Sequence, residues 1–139
     1  MGQRRSWQGQ DYVALRYIDE LQRPDTYNLA YFFCQATDDR INSAVAVLRG
    51  LISMLLDQQP ALLPHLRKRY EGSGERLFKD VNAWVALSEV LKDILHDENL
   101  KPTILIIDAL DECQKDLPQL LCLIVSSLSI SSCIKWVVF

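Results

Sequence analysis

The segment Thr103-Ile104-Leu105-Ile106-Ile107, running straight into Asp108-Ala109-Leu110-Asp111-Glu112, constrains this chain more than any other part of it. Five consecutive residues without a polar alternation have no side to turn to water, so they suit a short strand covered on both faces. Strands of that kind belong to parallel sheets, whose members are joined by helical crossovers. The acids fall at the end of the strand, where open parallel sheets place their ligands.

The rest of the chain supplies the crossovers and further strands. Leu29 to Cys34, Leu-Ala-Tyr-Phe-Phe-Cys, is a second apolar run and predicts another strand buried on both faces, with Gln35 to Asp39 as its polar exit loop. Asn42 is placed to cap a helix whose apolar residues Val45, Leu48, Leu51, Ile52 and Leu55 share one face until Gln58-Gln59-Pro60 ends it. Leu62 to Tyr70 predicts a short helix and Glu71-Gly72-Ser73-Gly74-Glu75 a loose surface loop. A helix from Asp80, with Trp84, Leu87, Leu91, Ile94 and Leu95 on its apolar side, ends near Asn99 and Pro102. Pro118 suits the first turn of a helix from Leu117 to about Ser129, and Ile134 to Phe139 predicts a third strand. Ahead of all these, residues 1–10 form a polar leader, and Tyr12, Leu15, Ile18 and Leu21 recur at helical spacing. Helices alternating with three apolar strands give an α/β fold with a mostly parallel sheet.

Composition narrows the function. With 15 Lys+Arg against 18 Asp+Glu, the 139 residues lack the basic excess of a nucleic-acid binder, and Arg67-Lys68-Arg69 reads as a solvated helix face. Cys34, Cys113, Cys122 and Cys133 form no CxxC pair and no zinc spacing, and His65 and His96 have no partner motif. Cys34 and Cys113 read as packing thiols, Trp84 and Trp136 as core, and Arg40 and Arg49 as surface arginines. Leu117 to Ile134 is uncharged, but Pro118, Gln119 and its serines keep it below the hydrophobicity of a bilayer span. No secretory signal pattern opens the chain, so a cytoplasmic protein with reduced thiols is expected.

An apolar strand closed by Asp108, with Asp111 and Glu112 just after it, is the pattern of a Walker B segment. A carboxylate fixed at a strand end can hold Mg²⁺ directly or through water, and the ion bridges nucleotide phosphates. Asp108 takes that role. A later acid can orient or deprotonate the attacking water, which makes Glu112 the first candidate for hydrolytic base and Asp111 the second. Alternatively, the acids leave a buried strand for solvent and place negative charge near the next helix N-terminus.

Three segments in order carry a resemblance: Tyr31-Phe-Phe-Cys-Gln-Ala-Thr-Asp38, Ala46-Val-Leu-Arg-Gly-Leu-Ile52 and Ile104-Leu-Ile-Ile-Asp-Ala-Leu-Asp-Glu-Cys113. Together they resemble the NACHT domain of fungal STAND NTPases, the NOD-like receptors also described as nephrocystin-3-like N-terminal domains. The resemblance runs from about Tyr17 to Phe139. It implies a P-loop NTPase three-layer sandwich over residues 11–139, acting as an ATP- and Mg²⁺-dependent switch between an effector and C-terminal repeats.

This sequence departs from the family in one respect that matters. The phosphate-binding loop GxxxxGK[ST] should precede the helix containing Tyr17-Ile18-Asp19-Glu20-Leu21, yet Gly2 and Gly9 are the only early glycines and no Gly-Lys pair occurs. Without that cradle of backbone N–H groups and its lysine, carboxylates alone repel ATP. The fold is therefore expected to be partial, lacking the Walker A strand and loop, with both ends cut. The resemblance places the missing strand beside Ile134 to Phe139, which leaves a sheet edge open to self-association or a protein partner. Three readings stay open: a fragment of an ATP-switched receptor, a non-catalytic module that pairs with intact NACHT proteins, and a metal-dependent hydrolase built on Asp108, Asp111 and Glu112.

Overall fold

The computed structural model describes residues 27–73 and 83–139. Three strands form one parallel sheet in the order β1 (Asn28–Phe33), β2 (Thr103–Asp108), β3 (Ile134–Val138). Thr103, the first residue of β2, pairs with Asn28 on one side and Ile134 on the other, so all three strands start level and their C-terminal tips lie together. Between β1 and β2 the chain runs through α1 (Ala44–Gln58), a 3₁₀ turn at Pro60–Leu62, α2 (Leu63–Ser73) and α3 (Ala83–His96). After β2 come a 3₁₀ turn at Leu110–Glu112 and α4 (Leu117–Ser127), which returns to β3.

Alternation along the strands divides the core. Ala30, Cys34, Leu105, Ile107 and Ile134 point to one face, where they are buried with Leu48, Leu51 and Leu55 of α1, Leu87, Leu91 and Ile94 of α3, and Leu120 and Leu123 of α4. Leu29 and Ile106 point to the other face and cluster with Tyr27, Tyr31, Phe33, Ile104, Val137 and Phe139, with no contribution from any described helix. The described residues therefore make a sheet with helices on one side. The amphipathic helix expected around Tyr12, Leu15, Ile18 and Leu21 lies outside the described residues, as do the polar leader and the Asp80 start of α3.

Several local expectations need correction. Ser43, not Asn42, caps α1: its Oγ accepts the Ala46 N–H at 3.2 Å. Asn42 is buried one residue earlier and bonds elsewhere. β1 is buried at Asn28, Leu29 and Ala30 but only half-buried at Tyr31, Phe32 and Phe33, so its tip is less enclosed than the apolar run suggests. Of the loop expected at Glu71 to Glu75, the residues to Ser73 are helical in α2 and the remainder lies outside the described residues. His65, which belongs to no ligand motif, bonds Asp97 at 2.8 Å and ties α2 to the turn after α3. The Asp97 carboxyl is held below its usual range by that bond and by the Asn99 N–H. Of the basic run, Arg69 reaches Glu89 and Asp93, so it braces α2 on α3.

Candidate functional site at the strand tips

The tips of β1 and β2 bring the predicted acids to one end of the sheet. Asp108 is the last residue of β2; its carbonyl accepts the Cys34 N–H at 3.0 Å, and the residue is 1% exposed. Ala109 follows in the left-handed region, at φ 59°, and reverses the chain into the 3₁₀ turn. That turn separates the other two acids. Asp111 faces solvent, whereas Glu112 turns back across the sheet and its Oε1 accepts the Ala36 N–H at 2.9 Å.

The loop leaving β1 is held from both ends of a single residue. Glu112 takes the N–H of Ala36, and Asn42 Nδ2 donates to its carbonyl at 3.0 Å. The Asn42 carbonyl in turn accepts from Gln114 N at 2.8 Å and Lys115 N at 3.3 Å, and Ala44 N donates to Lys115 O at 2.9 Å. A closed circuit thus joins the turn carrying the acids to the loop between β1 and α1. Asn42 Oδ1 remains buried without a hydrogen-bond partner among the described residues, an acceptor beside the Ala36 peptide. Asn42 is the residue whose role the sequence did not reveal, because an asparagine just ahead of a helix looks like a cap.

Cys34 reports the electrostatics of this end. Burial first, then the nearby Cys113 and the charges of Glu112, Asp108 and Asp111, push its thiol up from 9.0 to about 12. Burial also raises Cys113. Both are free and buried, so they are protonated packing groups and poor nucleophiles. That three separate carboxylates all act on one thiol shows how the fold concentrates negative charge at the strand tips.

No group of three or more His, Cys, Asp and Glu able to hold a metal occurs among the described residues. The donor set does not fit an all-protein cage. None of the described helices is long and apolar enough to cross a membrane.

Comparison with known proteins bears on this arrangement. The family described as Nephrocystin 3, N-terminal, matches residues 8–139. The vegetative incompatibility protein HET-E-1 of Podospora anserina is 51% identical over 131 residues, 94% of this chain. The chain spans about a tenth of the length of that relative, 10%. No solved structure matches significantly.

Proposed function

Because this chain belongs to the nephrocystin 3 N-terminal family, we propose that it forms the Walker B portion of a NACHT-type nucleotide switch. The observation that carries this reading is the placement of Asp108, Asp111 and Glu112 at the C-terminal tip of the central strand of a parallel sheet, with Glu112 turned across it. In a parent protein with a phosphate-binding loop, Asp108 would hold Mg²⁺, which shields phosphate charge when ATP is bound. The buried strand fixes the Asp108 backbone, so that carboxylate costs little to position. Glu112 is the first choice for orienting or deprotonating water and Asp111, which faces solvent, the second. The bond to Ala36 occupies one Glu112 oxygen, so that oxygen is the one that anchors and Oε2 is the one left to act as base.

The test is ATP turnover in a parent that joins this sequence to a GxxxxGK[ST] segment. Asp108→Ala and Glu112→Gln are each expected to lower kcat by about 100-fold or more. Turnover unchanged in both variants would remove the assigned roles.

A further inference from the structure

One residue, Asn42, grips both sides of the bond that fixes Glu112. Its Nδ2 donates to the Ala36 carbonyl at 3.0 Å, and Ala36 is the residue whose N–H Glu112 Oε1 accepts at 2.9 Å. Its main-chain carbonyl accepts from Gln114 N at 2.8 Å and Lys115 N at 3.3 Å, the amides two and three residues beyond Glu112. The two partners of the Ala36–Glu112 bond lie 76 positions apart in the chain, and Asn42 is a short bridge between them.

Local structure does not account for this arrangement. Asn42 is 3% exposed, and burying an amide is unfavourable unless it is hydrogen-bonded. The start of α1 does not call for it, because Ser43 caps that helix through the Ala46 N–H. The loop after β1 does not call for it either. Gln35 N to Ile41 O at 3.2 Å, Asp38 N to Gln35 O at 3.1 Å and Ile41 N to Asp38 O at 3.0 Å close residues 35–41 through their own backbone. What the Asn42 amide adds is a fixed placement of Ala36 relative to the turn at Leu110–Glu112. A carboxylate held by one N–H can pivot about that bond, and its second oxygen swings with it. Fixing the donor and the chain just after the acid narrows the swing, and a displacement of about 1 Å at a reacting group can cost about 100-fold in rate.

We propose that Asn42 is a positioning residue for the water-activating acid, a role that rests on Glu112 being the base of the nucleotide switch. By clamping Ala36 and the Gln114 and Lys115 amides, Asn42 aims Glu112 Oε2. The clamp serves one acid of the pair, since Asp111 faces solvent and is not part of it.

Amide hydrogen exchange of this chain, followed by NMR, reports the Ala36 N–H itself. Wild type should protect it, and Asn42→Ala should speed its exchange about tenfold or more while Ile106 in β2 exchanges as before. Asn42→Asp keeps the side-chain shape and the main-chain bonds and replaces the donor by an acceptor, so it serves if the alanine variant unfolds. In the parent that carries a GxxxxGK[ST] segment, either variant should lower kcat for ATP about tenfold and change KM less than about twofold. In a Glu112→Gln background the same substitution should lower kcat no further, whereas in an Asp111→Asn background its full effect should remain. An Ala36 N–H unprotected in wild type, or one indifferent to Asn42, would overturn the proposal. Losses at Asn42 and Glu112 that multiply would overturn it too, as the mark of a residue that only stabilises the fold. Those results leave Glu112 standing as the base, whereas full turnover in Glu112→Gln removes the base and the positioning role together.

Discussion

Gly50 sits in the middle of α1, where glycine ordinarily costs a helix about 0.5–1 kcal/mol relative to alanine. The reason for it lies on the strand that α1 packs against: a Cβ built at this position meets Phe32 Cδ2 at 2.6 Å and Cε2 at 2.9 Å. Carbon atoms pack favourably at roughly 3.5–4.0 Å, so the methyl group requires either the ring or the helix to move. Phe32 is half-buried and packed against the main core, and α1 is fixed by Leu48, Leu51 and Leu55. Overpacking of this kind costs about 1–3 kcal/mol, which exceeds the propensity gain. Gly50→Ala is therefore expected to destabilise the chain by about 0.5–2 kcal/mol, against the usual direction for this substitution in a helix. Urea unfolding followed by tryptophan fluorescence gives the difference directly. Phe32→Leu supplies the second leg of a double-mutant cycle, and in that background alanine at 50 should become neutral or stabilising. A Gly50→Ala protein as stable as wild type, or no coupling to Phe32, would refute the reasoning.

Two further outcomes follow from buried polar groups. Cys34 holds its proton to about 12 in the folded chain against 9.0 when unfolded, so between those values the unfolded state loses a proton that the folded state keeps. Stability is then full below pH 9.0 and falls as pH rises toward 12. Comparing the pH slope of urea midpoints for wild type and Cys34→Ala isolates this share; equal slopes would refute it. At the base of the sheet, Gln59 accepts from Asn28 Nδ2 at 2.8 Å and Lys101 N at 3.2 Å and donates to Asn99 O at 2.8 Å. Gln59→Leu strands the amide of Asn28, itself 1% exposed, and should cost about 2–3 kcal/mol; a loss under about 1 kcal/mol in the same assay would show the network is idle.

Much of this was legible because it depended on local pattern. The unbroken run at Thr103 to Ile107 could only be a covered strand, and the stop at Gln59-Pro60 ended α1 where the chain itself ends it. The strand-tip acids were visible as a strand followed by charge. What escaped depended on contacts between distant residues. No rule of spacing predicts that Gln58 would act as a strand for Leu29, 29 positions away, or that Glu112 would reach Ala36. Asn42 and Ser43 both favour the N-cap, and the choice between them was made by Ala36 O and the Gln114 and Lys115 amides, which recruit Asn42 and leave the cap to Ser43.

The circuit through Ala36 also gives the strand tips a mechanical character. Glu112 is carried by a turn that starts at Ala109 in the left-handed region, a conformation that costs a residue with a Cβ about 1–2 kcal/mol and persists only when surrounding contacts impose it. Here Leu110 N bonds Phe139 O on one side of the turn, and Gln114 N bonds Asn42 O on the other. The turn is thus braced between the end of β3 and the loop leaving β1, and Glu112 is the side chain through which it grips that loop. Any displacement at the end of β3 is felt first at Leu110, two residues before Glu112, so the C-terminal end of β3 and the acid proposed as the base are joined by a single short turn.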